Sequence, residues 1–243
     1  MSFGPDDHRN VIAIDGPAAA GKSTVARLLA ARLGALLFDT GSLYRALTVA
    51  ARRDGVAAGD GPALARLART IEIEVRPDSA ADGRLYSVLL DGEDVTWVLR
   101  SLQVEQSVSM VAAHPQVRDA LMPHQRRIAA GGSVVMVGRD IGTVVVPDAG
   151  LKVFLLASEQ ERARRRFDEQ RARGGQMTLD EVLTDLRRRD ALDASRATAP
   201  LRAADDALLV ATDGLDIDQV VAEIVHLARL ADAERDSVVP PPR

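Results

Sequence analysis

The feature of the sequence that most constrains the fold is a glycine-rich segment at residues 16–23, GPAAAGKS, which matches GxxxxGK[ST] at every fixed position. The apolar run 11–14 precedes it, and residues 22–33 follow it with apolar side chains recurring every three to four positions. The apolar run indicates a buried strand and the periodic segment indicates a helix. That order of strand, loop and helix is the context in which this pattern binds phosphate. The sequence therefore predicts a nucleoside triphosphate site.

The loop pattern assigns a task to each residue type. Backbone N–H groups of the loop and the N-terminus of the following helix attract phosphate oxygens. Lys22 is expected to reach the β- and γ-phosphates of ATP, and the Ser23 hydroxyl is expected to be the protein ligand of Mg²⁺. The residues predicted to bind ATP are Gly16, Pro17, Ala18, Ala19, Ala20, Gly21, Lys22, Ser23 and Thr24.

Further apolar runs alternate with helix-like segments, which predicts an α/β fold with a parallel sheet flanked by helices. The pattern changes near residue 70. There the apolar residues follow period two, and an Asp91-Gly92 turn signal follows, which together predict a small antiparallel β insert. The predicted core strands cover residues 11–14, 35–38, 133–137, 151–156 and 207–211.

Helical periodicity is continuous over residues 102–130, and a last amphipathic helix is expected at 217–230. Two helices of a lid are each expected to begin with a capping box, Ser158 with Glu161 and Thr178 with Glu181. The predicted organisation is a core at 11–69 and 102–230 with a lid near 158–190, an insert at 70–101, and flexible termini at 1–10 and 231–243.

Composition excludes several classes of function. The chain has no Cys, and its four His form no HExxH pattern, so thiol catalysis and zincin chemistry are excluded. A net charge of −4 and an aromatic content of 3% argue against nucleic-acid binding. No apolar stretch approaches the roughly 20 residues of a membrane-spanning helix. We expect a soluble, cytoplasmic monomer that acts on small molecules and binds neither nucleic acid nor membrane.

The class of nucleotide protein can be narrowed by two absences in the sequence. GTPases use an NKxD segment to recognise guanine, and the only Asn of this chain is Asn10, so that segment cannot exist. ATPase motors have an apolar strand ending in paired acids, whereas the strand at 133–137 is followed by Gly-Arg-Asp. A small-molecule kinase is the class that remains best supported.

Two further segments follow predicted strands and carry charged side chains. Residues 39–45, DTGSLYR, place Arg45 at a helix start, and residues 138–143, GRDIGT, pair Arg139 with Asp140. The carboxyl ends of parallel strands meet at one edge of a sheet, where ligands bind. We therefore expect both segments and the phosphate loop to surround one site, in which arginine binds a second phosphate.

Together these segments resemble the cytidylate kinases of the bacterial type. The resemblance is carried by residues 13–24, 38–47, 109–118, 137–149 and 188–207, in the same order along the chain. Among these, GRDIGTVV is more specific to the family than the phosphate loop. The resemblance implies a P-loop nucleoside monophosphate kinase fold. It also implies ATP-dependent phosphorylation of CMP and dCMP to CDP and dCDP, by direct in-line transfer, in pyrimidine nucleotide metabolism.

The resemblance further implies how the acceptor nucleotide would be bound. The CMP phosphate would be bound by Arg45, Arg139 and Arg196. The ribose would be bound by Arg189 and Asp193.

The same resemblance implies groups for base recognition and for catalysis. The family often has Ser at the position of Thr40, and the hydroxyl is retained here. The cytosine edge would be lined by Thr40, Ser109, Arg118 and Asp140. The catalytic side chains would be Lys22, Arg139, Arg162 and Arg166. No general base is assigned, because the acceptor oxygen is already anionic.

Two other functions share part of this pattern. A kinase of shikimate or gluconate would have the same loop and fold, but the insert and the Asp193–Arg196 pair fit a nucleotide better. A regulatory module that binds ATP without turnover is the second alternative. Release of ADP in the presence of CMP distinguishes both from a CMP kinase.

Overall fold

The parallel sheet of this α/β fold has five strands. The computed structural model describes residues 8, 10–77, 82–172, 174–195 and 199–238. Its strands are β1 (Val11–Asp15), β2 (Leu36–Asp39), β3 (Ile73–Pro77), β4 (Tyr86–Leu90), β5 (Glu93–Asp94), β6 (Val134–Val137), β7 (Leu151–Leu156) and β8 (Leu208–Ala211). The order in the main sheet is β2–β6–β1–β7–β8, and every neighbouring pair is parallel. The predicted fold class is confirmed.

Helices cover both faces of this sheet, and its central strands consist mostly of apolar residues, as expected for a parallel sheet. In β1, Val11, Ala13 and Ile14 are fully buried. The helix after the phosphate loop packs Val25 and Leu29 into the same core. The helices are α1 (Lys22–Leu33), α2 (Gly41–Arg53), α3 (Gly61–Thr70), α4 (Leu102–Ala113), α5 (Pro115–Ala129), α6 (Glu159–Ala172), α7 (Leu179–Ala194) and α8 (Ile217–Val238).

Two helical predictions differ from the structure. The segment predicted as continuous at 102–130 is two helices, α4 and α5, because Pro115 cannot continue a helix and forces its predecessor out of the helical region. His114 accordingly has φ −74° and ψ 118°. The last helix, α8, continues to Val238 beyond the predicted end at residue 230.

The predicted antiparallel insert is present as a separate small sheet, with the order β3–β4–β5. The turn between β4 and β5 has Asp91 at φ 50° and Gly92 at φ 82°. Two consecutive positive φ angles are the conformation that the sequence signal Asp-Gly favours in tight hairpins.

The helices α6 and α7 pack against each other over the phosphate loop. Thr178 begins α7 with the predicted capping box, in which both reciprocal bonds to Glu181 are present. The capping box predicted for Ser158 and Glu161 at the start of α6 is wrong. The Ser158 hydroxyl accepts from the Glu161 N–H at 3.3 Å, but the Ser158 N–H donates to Asp213 instead of to Glu161. A carboxylate distant in sequence thus replaces the local partner.

Register fixes which residues meet at the carboxyl edge of the sheet. Val137 pairs with Ile14 on one side and with Asp39 on the other. The phosphate loop, the start of α2 and the segment after β6 therefore leave the sheet next to one another. Within the ranges that the structure describes, no helix is both long and apolar enough to cross a membrane.

Candidate active site

A cleft of about 840 Å³ opens at this carboxyl edge of the sheet. One wall is formed by the phosphate loop and the first turn of α1, and the opposite wall by residues from α2, α4, α5 and α7. The predicted site residues in its lining are Ala18, Ala19, Ala20, Gly21, Lys22, Ser23, Thr24, Thr40, Arg45, Ser109, Arg118, Arg139, Asp140, Arg166, Arg189 and Asp193.

The phosphate loop is held against the neighbouring strand at its first residue. Gly16 has φ 145°, and a Cβ added there would lie 2.5 Å from the carbonyl oxygen of Leu155 on β7. Only glycine fits this position. The loop ends at the N-terminus of α1, where no side chain caps the helix. Its first N–H groups are thus available to an anion.

Lys22 is directed into the loop itself. Its Nζ donates to the carbonyl oxygens of Gly16 at 2.8 Å and Pro17 at 2.6 Å. Burial, and next the positive charge of Arg139, lower the pKa of the Lys22 ammonium well below its usual range. A phosphate anion beside Lys22 would oppose both effects. A bound polyphosphate would therefore stabilise the charged form of Lys22.

The segment after β6 is held in place by a buried carboxylate at the end of β1. Asp15, the last residue of β1, accepts from the N–H groups of Ile141 at 2.9 Å and Gly142 at 2.8 Å. These bonds begin a wide turn at Ile141–Val145, with bonds of the i→i+5 type. Burial raises the pKa of Asp15 to about 6. Asp15 thus connects the strand that carries the phosphate loop to the turn that carries Asp140.

Asp140 forms an ion pair with Arg118, and both side chains are buried. The Arg118 guanidinium also lies over the ring of Tyr44, 5.6 Å from its centroid. Paired and stacked in this way, the two side chains have little freedom to reorient. The Thr40 hydroxyl donates to the carbonyl oxygen of Val137 at 3.0 Å, which leaves its oxygen free to accept.

An ion pair connects the two walls of the cleft. Arg139 donates to Asp193 at 2.9 Å across the gap between β6 and α7. The charges of both Arg139 and Asp193 act on Lys22. The phosphate loop and the opposite wall therefore belong to one site, as the order of the segments predicts.

Arg45 is positioned by close packing at the start of α2. A Cβ at Gly41 would lie 2.6 Å from Nη1 of Arg45, so the guanidinium depends on the absent side chain. Its Nε donates to Glu105 on α4 at 3.1 Å. Sequence reasoning missed Glu105. It stands one helical turn before Ser109, on the same face of α4, and that spacing was the available signal.

A family model described as cytidylate kinase matches residues 12–230. The chain belongs to the cytidylate kinase family. Its resemblance to that family in the sequence is thereby confirmed.

Individual cytidylate kinases match over nearly their whole length. One from Herpetosiphon aurantiacus is 52% identical over 218 residues, which are 90% of this chain and 93% of the relative. One from Roseiflexus castenholzii is 52% identical over 229 residues, 94% of this chain and 96% of the relative. One from Pelotomaculum thermopropionicum is 49% identical over 225 residues, 93% and 97% of the two chains.

Two residues expected from the cytidylate kinase resemblance, Arg162 and Arg196, are absent from the described lining of the cleft. Arg162 lies behind the phosphate loop, outside the lining of the cleft, and donates to the carbonyl oxygen of Ala18 at 3.2 Å and to Asp190 at 2.6 Å. Arg196 lies outside the residues that the structure describes.

The cleft of this cytidylate kinase family member also includes residues that sequence reasoning did not name. Thr212, Leu215 and Ile217, between β8 and the start of α8, line it. Arg165 donates to the Thr212 carbonyl oxygen at 2.7 Å and so joins α6 to this segment. The carboxyl end of the last predicted strand indicates this segment, because ligands bind at that edge.

Proposed function

We propose that the chain transfers the γ-phosphoryl group of ATP to a phosphate oxygen of CMP or dCMP, which yields ADP and CDP or dCDP. The observation that carries the proposal is that both halves of the site line one cleft, in which Lys22 of the phosphate loop faces the same space as Arg45, Arg139 and Asp140. Membership of the cytidylate kinase family supports the same reaction.

On the donor side, the loop and the N-terminus of α1 bind the phosphates of ATP. Lys22 exchanges its two carbonyl partners for phosphate oxygens, and the phosphate charge stabilises the ammonium beside the γ-phosphate. We assign the donor base to the part of the cleft that Thr24, Leu215 and Ile217 line.

Mg²⁺ fits this donor site through Ser23, whose half-buried side chain lines the cleft directly after Lys22. Within the described part of the chain, no three acidic or His side chains converge on a point that could hold a metal. In this loop pattern the hydroxyl after the lysine binds Mg²⁺ together with the nucleotide phosphates. When bound, the ion offsets the negative charge of the phosphates.

On the acceptor side, base recognition depends on the Asp140–Arg118 pair. A carboxylate accepts from the exocyclic amino group of cytosine, and uracil has a carbonyl oxygen at that position. The ion pair with Arg118 holds the Asp140 carboxylate in place, while Thr40 and Ser109 supply hydroxyl groups to the lining of the cleft.

The rest of the acceptor nucleotide is bound by charged side chains. Asp193 and Arg189 are assigned to the ribose, and Arg45, Arg139 and Arg196 to the acceptor phosphate, as the family resemblance implies. Of these, Arg45, Arg139, Arg189 and Asp193 line the cleft.

The transfer needs cations and alignment more than it needs covalent chemistry, because charge spreads over the moving group in a loose transition state. Lys22, Arg139 and Arg166 are assigned to stabilise that charge. Arg162 is assigned a positioning role, since it donates to the loop carbonyl of Ala18 and contacts α7. No proton has to be removed from the acceptor.

We further propose that the protein acts as a cytoplasmic monomer and binds neither nucleic acid nor membrane. The assigned groups all come from one chain, which supports a monomer. Nucleotides such as ATP and CMP are found in the cytoplasm, which supports that location. The net charge of −4 disfavours attraction to nucleic acid. Sedimentation equilibrium tests the monomer, since a mass near 26 kDa is expected.

The function is tested by release of ADP with a panel of acceptors: CMP, dCMP, UMP, AMP and shikimate. We expect multiple turnovers with CMP and dCMP, much lower turnover with UMP, and none with AMP or shikimate above the background of ATP hydrolysis. Binding of ATP without turnover on any acceptor would instead identify a regulatory module.

A further inference from the structure

Glu105 is a carboxylate that lies among the arginines of the acceptor side. It projects from α4 into the cleft, and 19% of its side chain is exposed. Its Oε1 accepts from Nε of Arg45 at 3.1 Å, and its Oε2 lies 3.8 Å from Arg166 and 4.0 Å from Arg189. These arginines come from α2, α6 and α7, so a single carboxylate joins three separate elements.

The surrounding arginines stabilise the negative charge of Glu105. Burial alone would raise the pKa of Glu105, but the attraction of Arg45, Arg189 and Arg166 outweighs it and the pKa lies below its usual range. Burial, and next the charge of Arg139, lower the pKa of Arg189. The arginines thus repel one another, and Glu105 is an ionised counter-charge among them.

We propose that Glu105 sets how strongly the acceptor side binds anions, because its carboxylate competes with incoming phosphate groups for Arg45, Arg166 and Arg189. The proposal rests on the proposed function, which assigns Arg45 to the acceptor phosphate. No role of this kind follows from the phosphate loop or from the segments that resemble the family.

Glu105 thus lowers the affinity of the acceptor side for every anion. Every phosphate group that enters must overcome the same repulsion from Glu105 and the same loss of its arginine contacts. A nucleotide gains additional binding from base and ribose contacts at Asp140, Arg118 and Asp193, whereas inorganic phosphate does not. Glu105 therefore moves free phosphate out of the concentration range in which it would block the site, while CMP still binds.

The variant Glu105→Gln isolates the charge, because glutamine retains an oxygen that can accept from Nε of Arg45. We expect the variant to bind both inorganic phosphate and CMP about fivefold tighter than the wild type, since one negative charge near a dianion is removed. Binding is measured by calorimetry on the ligand-free protein, and KM and kcat for CMP are measured alongside.

The matched control is Glu93→Gln. Glu93 is exposed and accepts from both terminal nitrogens of Arg53 at 2.9 Å, away from the cleft. It loses the same charge from the same residue type, and phosphate affinity should not change. If Glu105→Gln is unstable, Glu105→Ser removes the same charge and provides the same comparison.

Weaker CMP binding in Glu105→Gln would overturn the proposal and indicate that Glu105 only orients Arg45. Equal phosphate affinity in the wild type and both variants would overturn it as well. These binding measurements need no turnover. Tighter phosphate binding in the variant, combined with no phosphorylation of CMP by the wild type, would support the competition and refute only the proposed function.

Discussion

The two walls of the cleft are built in opposite ways. The donor wall is a continuous segment of glycine, proline and alanine, with backbone groups and one lysine as its working parts. The acceptor wall is assembled from paired side chains on separate elements, such as Arg118 with Asp140 and Arg139 with Asp193. A contiguous segment depends on its local backbone, and a dispersed one depends on the whole fold.

The difference predicts how each wall fails when it is altered. Loss of Lys22 should remove the one lysine charge from the phosphate loop and so lower turnover. Loss of the Arg118–Asp140 pair should change which nucleotide is selected and leave the remaining contacts in place. Asp15 contacts both walls, so its removal affects them together.

The largest expected effect is on turnover by Lys22→Met. Removal of the ammonium from the phosphate loop should lower kcat by about 10²–10³-fold, the cost of losing one preorganised charge-stabilising donor. Lys152→Met is the matched control, because Lys152 is the other lysine of the chain and its Nζ pairs with Asp206 at 2.7 Å outside the cleft.

In Lys152→Met the methylene packing against Gly142 is retained, so turnover should stay near that of the wild type. Steady-state kinetics with saturating ATP and CMP measure both variants. Comparable kcat for Lys22→Met and Lys152→Met would show that the loop lysine takes no part in the transfer.

A second prediction concerns the backbone of the donor wall. Gly16→Ala should lower the free energy of unfolding by about 3 kcal/mol or more, because the methyl group would collide with the Leu155 carbonyl oxygen in addition to the backbone strain. Gly34→Ala is the control, since Gly34 has φ 62° and open space around a Cβ.

The control should lose only about 1 kcal/mol, the strain of the left-handed conformation alone. Urea unfolding of both variants gives the comparison. Equal losses would mean that close packing of the loop on β7 contributes nothing.

A third prediction tests the connection between the walls. The pKa of Asp15 is raised from 3.8 to about 6, so the folded state holds this proton more tightly than the unfolded state. The contribution of Asp15 is thus most favourable below pH 4 and is lost as pH rises through 6, by at most about 3 kcal/mol. The stability of the wild type relative to Asp15→Asn should therefore increase from pH 7 to pH 4.

Glu161 provides a comparison of opposite sign. Its bonds from Arg164, and further from Arg165, lower the pKa of the Glu161 carboxyl. The stability of the wild type relative to Glu161→Gln should thus decrease as pH falls. Denaturant unfolding across this range measures both differences. Parallel pH profiles for the two pairs would refute the assignment of Asp15.

The smallest expected effect concerns acceptor choice. Asp140→Asn should reduce the ratio of kcat/KM for CMP over UMP about tenfold, because the cytosine amino group loses a charged acceptor. Asp193→Asn is the control, since Asp193 is also a buried carboxylate paired with an arginine. It should lower both values together and leave the ratio unchanged. An unchanged ratio in Asp140→Asn would remove Asp140 from base recognition.

The sequence predicts the donor wall almost residue by residue, because strand, loop and helix are consecutive and the pattern is local. The fold class follows for the same reason. The split at His114 was missed because periodicity continues on both sides of Pro115, although the proline itself carries the signal. Ser158 formed no capping box because Asp213, distant in sequence, takes its N–H.

The acceptor wall was less accessible to sequence reasoning. Arg162 and Arg166 lie four residues apart in one basic helix, and the sequence does not distinguish their roles. In the folded protein Arg162 is buried against Asp190 of α7, whereas Arg166 lines the cleft. Glu105 lies in a segment without any motif, and its three arginines come from helices that meet only in the folded protein. Such contacts depend on tertiary structure that local patterns do not encode.

In the proposed reaction, donor and acceptor nucleotides occupy one cleft in line with each other. The most direct test is calorimetric binding of a bisubstrate compound in which adenosine and cytidine are joined through a pentaphosphate. We expect binding at least a hundredfold tighter than that of ATP or CMP, competition with both nucleotides, and loss of affinity in both Lys22→Met and Arg45→Ala. Binding no tighter than that of ATP, with competition by one nucleotide only, would contradict it.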